Sequence, residues 1–532
     1  MASAPSISPN SSPKKPGSLW KSASIVGIAT LLSRVLGLVR DILIANIFGA
    51  GSSADAFFIA FKLPNFLRRL FAEGAFSQAF VPVLAEYREK RTQEEVKDLV
   101  NKVATVLGAV TLIISLLSVL AAPVLVYVFA PGFTGSPEKF ALTAELVRIT
   151  FPYLFFISLV AFSGSILNTY GIFAPTALAP VVLNLCMIAA TLFARDWFSP
   201  TILALGWSVF IAGLLQLLVQ LPALHALKLS PRISFQRRHE GVSKVLRLML
   251  PALVGVSVSQ VNLLVDTILA SFLVTGSVSW LYYSDRLLEL PLGLFGIAIA
   301  TVILPHLSRL AATNNVRQFS ITLDWGIKCL LLVGVPAAAS LMLITEPILI
   351  SLFQYGAFDL EDVTQTSASL RAYSLGLVPI MIVKIFTPGF YARQDMKTPV
   401  RIAILVMSLN MVFNLILVWP LKHVGLALAT SISGFLQVFL LYRALKKHGG
   451  YETVSKWPGF LIRIFIATTT MCGLLYAFNP SLNEWMAFDL TNRLWRLSVM
   501  LIGAVAVYPI VLFLAGMRLK DLKSPPAELT ST

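Results

Sequence analysis

The sequence predicts an all-α polytopic membrane protein of about fourteen transmembrane helices, arranged as two parallel six-helix lobes plus two extra C-terminal helices. Three observations carry that prediction. Apolar runs of roughly 20 residues recur along almost the whole chain, each long enough to cross a hydrocarbon core of about 30 Å. Lys and Arg fall overwhelmingly on one set of alternating loops. The first six spans also reappear, displaced by 225 residues.

Mean hydropathy is +0.79, and 57% hydrophobic against 13% charged residues leaves too little polar surface for a soluble particle. Soluble domains carry about 25% charged residues. The runs are continuously apolar and do not alternate, which argues against a membrane barrel. Spans are placed near 23–48, 55–84, 104–130, 145–168, 173–194, 202–226 and 248–273. The second set lies near 279–305, 326–353, 366–391, 400–420, 424–445, 460–478 and 493–516.

With the N-terminus inside, the cytoplasmic stretches hold 28 of the 42 Lys and Arg residues, and the opposite loops hold Lys139, Arg195 and Lys422. That asymmetry places both termini in the cytoplasm. The net charge of +16 therefore reports orientation. It does not call for nucleic acid, which needs a folded basic surface with aromatic platforms. The first 20 residues are Pro/Ser-rich, lack a signal-peptide core, and are expected to be a disordered tail held inside by Lys14 and Lys15.

In the repeat, DILIANIFGAGSSADAFF (41–58) lies against DTILASFLVTGSVSWLYY (266–283) without a gap. Asp41 meets Asp266, Gly51 meets Gly276 and Ser52 meets Ser277. Spans one and seven both run outward, so the lobes are parallel copies, a layout that places a pathway between them. The chain then divides into a cytoplasmic tail (1–21), an N-lobe (22–226), a cytoplasmic linker (227–247) and a C-lobe (248–447). Two further helices (448–517) and a second cytoplasmic tail (518–532) complete it.

Cys186, Cys329 and Cys472 lie inside apolar runs without metal or redox spacing, and read as small buried hydrophobes. The chain has no GxxxxGK[ST], HExxH or GxSxG motif and no loop large enough for a catalytic domain, so no enzyme is expected. A charge deep in the bilayer costs about 2.5–3.5 kcal/mol on insertion scales and normally faces a bundle interior or an aqueous cavity. In the N-lobe such charges are Arg34, Arg40, Lys62, Arg68 and Arg69, with Asp41, Asp55 and Glu73 nearby. Arg34 and Arg40 are six apart and need not share a face. In the C-lobe Asp285, Arg286 and Glu289 lie together, and Arg286 and Glu289 can pair at i,i+3.

Structural ion pairs between helices are one account, above all for Arg69, Asp41, Asp285 and Glu73. The other is a cavity presenting Arg34, Arg40, Arg68 and Arg286 to an anionic, phosphorylated substrate, because guanidinium is a planar fork matched to phosphate and carboxylate oxygens. A second constellation joins Asp266, Asn410, Asn414 (i,i+4 from Asn410) and Thr430, hard oxygen ligands suited to Na⁺. Interhelical hydrogen bonding is the alternative there. Gly49, Gly51 and Gly276 are candidate turn or gate points in the outer loops, and Pro64 a candidate kink in span two.

The stretch SRVLGLVRDILIANIFGAGSSADAFFIAFKLPNFLRRLFAEGAFSQAFVPVLAEY (33–87) closely resembles the MurJ/MviN family of bacterial lipid II flippases. GSVSWLYYSDRLLELPLG (276–293), LFQYGAF (352–358) and PGFYARQDMKTPV (388–400) do so too. The resemblance covers roughly residues 20–520 and implies the multidrug/oligosaccharidyl-lipid/polysaccharide exporter fold in the bacterial inner membrane. It implies a substrate, undecaprenyl-diphosphate-linked GlcNAc–MurNAc-pentapeptide, moved from the cytoplasmic to the periplasmic leaflet for peptidoglycan synthesis. Membrane lipids and the cell-wall synthesis machinery are the implied partners. The family's essential cavity arginines fall on Arg34, Arg40, Arg68 and Arg286, with Asp55 and Glu289 as important acids and Arg69 beside them. The final two helices are implied to form the lipid-tail groove. Some members hold Na⁺, and here Asp266, Asn410 and Thr430 match that pattern while Asn414 stands where a second acid is expected. Two rival readings remain: a flippase for another undecaprenyl-diphosphate-linked glycan, and a non-transporting membrane scaffold for cell-wall synthesis.

Overall fold

A computed structural model describes residues 16–70, 76–234, 239–293, 297–447, 451–452 and 457–518. The expected tail up to residue 15, Glu73 and nearly all of the C-terminal tail lie outside them. Among the described residues the secondary structure is entirely helical. Nine helices among the described residues are long and apolar enough to cross a membrane.

The first half comprises α1 (Pro16–Phe48), α2 (Ser52–Leu67), α3 (Ser77–Lys90), α4 (Gln93–Leu120) and α5 (Ala122–Phe129). It continues with α6 (Pro137–Thr150), α7 (Tyr153–Thr169), α8 (Ala174–Ala189) and α9 (Leu203–Ala226). The second half holds α10 (Glu240–Ser271), α11 (Ser277–Pro291), α12 (Ile297–Ala312), α13 (Val316–Leu343) and α14 (Thr345–Leu352). It ends with α15 (Leu360–Ala392) and α16 (Lys397–Lys447). After it come α17 (Trp457–Ala477), α18 (Leu482–Ala487) and α19 (Leu490–Leu514).

The repeat is visible in where helices begin. Ser52 opens α2 and Ser277 opens α11, each after a glycine at the N-cap. Both helices then lose α geometry in a π-helical turn, at 68–70 and at 292–293. Pro64 and Pro291 precede those turns, and a proline removes one i→i−4 bond and crowds the preceding turn. Predicted spans two and eight are therefore each broken in two.

Three expectations are adjusted. Helix α1 begins at Pro16, inside the predicted tail. The fourth span begins at Pro137 rather than near 145, because Pro137 and Glu138 form a favourable first turn, so Lys139 is helical and not a loop residue. The eleventh and twelfth spans form one 51-residue element broken at Lys422 (φ 52°). A Cβ on Gly425 would lie 2.2 Å from the Leu417 carbonyl oxygen, which shows that the chain folds back there.

Helix α1 packs on α8 and α7 on α9 in the first half, and α15 on α13 and α16 in the second. The halves meet where α2 touches α11 and where α10 touches α3. Outward faces are apolar: Leu117, Leu120, Phe465, Val505 and Phe513 are exposed, as lipid contact demands.

Candidate functional site

Between the halves lies a cavity of about 400 Å³ walled by α1, α8 and α11. Its charged lining is Arg34, Arg40, Asp41, Arg286 and Glu289. Close packing builds it: Gly37 lets α8 approach α1 until Asn184 lies beside it, and the Asn184 amide donates to the Ser33 carbonyl at 2.9 Å. The Asn184 Oδ1 so oriented accepts from Arg40 Nη1 at 2.9 Å.

Arg40 is buried and fully engaged. It holds Asp41 in a fork, Nε at 2.9 Å and Nη2 at 2.7 Å, and donates to Tyr282 Oη at 3.0 Å. Asp41 bridges the halves by also accepting from Arg286 Nε at 3.2 Å. Arg286 in turn donates to Glu289 at 2.8 Å, the i,i+3 pair expected from the spacing. Tyr282 stacks on Phe58 with centroids 3.9 Å apart, fixing its hydroxyl.

Arg34 differs. Among the described residues its guanidinium has no hydrogen-bond or ion-pair partner, and it lies against Gly293, where any Cβ would come within 2.2 Å of Nη1 and Nη2. Among the described residues three guanidinium groups and two carboxylates line the cavity, leaving one positive charge uncompensated by them. An uncompensated charge with mostly apolar walls favours an anion strongly, since the low dielectric weakens screening.

Arg68 is placed elsewhere. It lines a neighbouring cavity of about 270 Å³ inside the first half, between α7, α8 and α9, which shares the walls Pro180 and Leu183 with the first. Its Nε donates to Asn65 Oδ1 at 3.1 Å. Arg69 is exposed and lines neither cavity. Lys62 donates to Thr267 Oγ1 at 3.4 Å across the halves.

Asp55 also lies apart from both cavities and forms the centre of a second seam between the halves, at the α1–α2 and α10–α11 turns. Its Oδ1 accepts from the Ser279 amide (2.9 Å) and hydroxyl (2.7 Å). Its Oδ2 accepts from the Gly276 amide (2.8 Å) and from Lys139 Nζ (2.8 Å). Gly276 has φ +101° and Gly49 φ +61°, so both are turn residues, whereas Gly51 has an ordinary extended backbone. Ala50 N donates to Asp362 Oδ2 at 3.1 Å, and Tyr283 Oη to the Gly49 carbonyl at 3.2 Å.

Asp266, Asn410 and Asn414 do come together. Asn414 Nδ2 donates to Asp266 Oδ1 at 2.6 Å and to Asn410 Oδ1 at 3.0 Å. Asn410 Nδ2 donates to Ser433 Oγ at 2.9 Å, while the Thr430 hydroxyl turns to its own helix at Leu426. Asn414 Oδ1 is buried and has no partner among the described residues.

Sequence reasoning missed Asn184 and Tyr282, which gave no charge signal, and Lys139. The last had one: it is one of three basic residues in the loops expected opposite the cytoplasmic ones.

The fold, two halves of broken helices around a charged cavity, is the one found in solved transporters of the multidrug/oligosaccharidyl-lipid/polysaccharide superfamily. A multidrug MATE-family transporter of that superfamily, in an inward-facing conformation, superposes with TM-score 0.66 at 15% identity over 80% of this chain and 98% of its own. A structure described as lipid II flippase MurJ, inward closed conformation, superposes at 0.76 with 29% identity over 91% of this chain and 97% of its own. The family model for lipid II flippase MurJ matches residues 44–515. The probable lipid II flippase MurJ of Vibrio cholerae is 48% identical over 95% of this chain and 98% of its own. The lipid II flippase MurJ of Burkholderia cenocepacia is 39% identical over 94% and 98%. The chain belongs to the lipid II flippase MurJ family.

Proposed function

We propose that this protein flips lipid II from the cytoplasmic to the periplasmic leaflet of the inner membrane by alternating access. The observation that carries the mechanism is the uncompensated Arg34 in a cavity already held together by Arg40, Asp41 and Arg286. A diphosphate brings the anionic oxygens that Arg34 lacks and competes for the Arg286 guanidinium, which is half-buried and shared between two carboxylates. Arg40 then acts as the floor of the site and Glu289 as the group Arg286 leaves. Arg68, one cavity further in, meets the distal headgroup. Asp55 holds the outer seam shut while the headgroup enters, and Arg69 contributes to the cationic rim.

In this reading the chain crosses the membrane fourteen times with both termini inside. Pairs α2/α3, α4/α5, α6/α7, α11/α12 and α13/α14 each make one broken span, and α16 makes two. Helices α17 and α19, outside the repeat, guide the lipid tail. The flipped product is consumed by the cell-wall synthesis machinery on the outer side. Na⁺ at the second constellation is part of the proposal: Asp266, Asn410 and the unpartnered Asn414 Oδ1 would hold it, supplying a positive charge that ties α10 to α16. With a single carboxylate the site is weak. Asn414→Asp supplies the second charge and raises Na⁺ affinity, measured by Na⁺-dependent melting of the purified protein.

The test of function is complementation in cells depleted of their own flippase, following lipid II at the periplasmic face. Wild type restores growth and surface lipid II, while Arg34→Ala, Arg40→Ala, Arg68→Ala and Arg286→Ala do not at matched membrane levels. A wild type that inserts but fails to restore surface lipid II refutes the substrate, and arginine variants that work refute the cavity mechanism.

A further inference from the structure

The partners of Arg40 divide by lobe. Nε and one Nη2 hydrogen go to Asp41 Oδ1, on the same helix α1. Nη1 gives one hydrogen to Asn184 Oδ1 on α8 and has only the Met187 thioether, a weak acceptor at 3.9 Å, for the other. The remaining Nη2 hydrogen crosses to Tyr282 Oη on α11, in the other half. Helix α1 packs along α8 and touches α11 only briefly. Rocking one half against the other therefore strains the Tyr282 contact and spares those to Asp41 and Asn184.

Both bonds to Asp41 converge on a single oxygen, which leaves the guanidinium free to swing about that point. Asn184 supplies the second fixed point, from a different helix. Its own orientation is set without ambiguity. The Ser33 carbonyl can only accept and Arg40 Nη1 can only donate, so the side chain between them must donate at one end and accept at the other. A carboxylate here would set an oxygen against the Ser33 carbonyl, and an aliphatic side chain would serve neither neighbour. Asn184 is 5% exposed, so water does not readily replace it.

We propose that Asn184 is a positioning residue for Arg40. It holds the guanidinium aimed at the cavity while the halves separate, so that the Nη2 hydrogen given up by Tyr282 is presented to a diphosphate oxygen of the substrate. Tyr282 is then the partner that must leave, and Asn184 the partner that must stay. The proposal rests on the lipid II reading above.

The test titrates the full-length protein in nanodiscs with undecaprenyl diphosphate and with undecaprenol, which has the same tail and no charge. Asn184→Leu weakens undecaprenyl diphosphate binding by about tenfold, the scale of one hydrogen bond to a charged group, and leaves undecaprenol unchanged. Asn184→Ser, polar but too short to span Ser33 and Arg40, gives the same pattern and serves if the leucine variant does not insert. Tyr282→Phe does not weaken the diphosphate, because it removes only the partner that leaves. In an Arg40→Ala background Asn184→Leu has no further effect, since it acts through the missing guanidinium. Diphosphate binding unchanged in both Asn184 variants overturns the proposal. So does an equal loss in Tyr282→Phe, which erases the distinction between the two partners. A full further loss in the Arg40→Ala background makes Asn184 a direct contact, and a matching loss of undecaprenol makes the effect one of folding; either overturns it. A wild type that binds undecaprenyl diphosphate no better than undecaprenol overturns the lipid II reading itself.

Discussion

Asp55→Asn is expected to unlatch the outer seam. Asp55 is 1% exposed, and each of its oxygens accepts two hydrogen bonds, including one from Lys139 Nζ, itself 6% exposed. The amide that replaces it can keep one accepting oxygen; its NH₂ must face either the Ser279 donors or the Gly276 and Lys139 donors. Two bonds go in either case, and Lys139 loses its counter-charge, keeping the Phe133 ring at 4.1 Å and a long contact to Thr275. Breaking a buried pair in this way costs about 3–5 kcal/mol. Even the lower bound shifts the closed-to-open ratio of the outer seam by a factor of roughly 100. Ser277→Cys provides the readout, because Ser277 is fully buried in that seam and its hydroxyl has no partner among the described residues, so the substitution itself is mild. A membrane-impermeant maleimide added outside labels this cysteine far faster in the Asp55→Asn background. Adding Lys139→Met removes the stranded charge and recovers part of the protection. A labelling rate unchanged by Asp55→Asn, with unchanged melting, refutes the latch.

Three further outcomes follow from the same geometry. Gly276→Ala places a Cβ 2.6 Å from Trp280 Cζ2 and 2.8 Å from the Ala50 carbonyl oxygen at φ +101°, so it loses about 1–3 kcal/mol, read as a lower melting temperature and faster Ser277→Cys labelling. Arg493, 7% exposed, donates to the carbonyls of Trp485, Met486 and Gln354 at 3.2, 3.0 and 3.1 Å; Arg493→Met strands them and lowers stability by about 2–4 kcal/mol, and hydrogen exchange rises in α18 and the start of α19. His239, in the linker, accepts from the Gly241 amide through Nδ1 at 3.1 Å, and burial, helped by Lys102, holds its pKa below the usual 6.5 against the pull of Asp98 and Glu240. The unfolded chain therefore binds a proton more readily, so stability is full above about pH 6.5 and declines as pH falls through the folded value, a slope that His239→Gln removes in melting curves from pH 5 to 7.5.

Much of this was legible in the sequence for physical reasons. Hydropathy locates spans because lipid forbids unpaired backbone, and the repeat pairs Gly51 with Gly276 and Ser52 with Ser277, the N-caps and first residues of α2 and α11, two or three residues before the starts expected near 55 and 279. Periodicity also paired Asn410 with Asn414 and Arg286 with Glu289. What periodicity could not supply was reach. Arg34 and Arg40 project about 120° apart and still line one cavity, because a guanidinium on a long stem travels further than its Cβ. Arg68 and Asp55, grouped with them by charge, sit in a different cavity and in the outer seam, since charge says nothing about depth or lobe. Lys139 reads as a loop residue in the sequence because a polar first turn of a helix has loop-like composition.

The outer seam is fastened largely through peptide groups. Ala50 N binds Asp362, Gly276 N binds Asp55, Ala357 N binds the Asn46 carbonyl at 2.7 Å and the Gly49 carbonyl binds Tyr283. A fastening written in backbone atoms is indifferent to most side chains in the hairpin tips but reads their length residue by residue. One inserted residue between α1 and α2 would put the wrong amide opposite Asp362. These tips can therefore drift in composition while remaining fixed in register, which makes them poor sites for epitope tags or fused domains despite lying in turns.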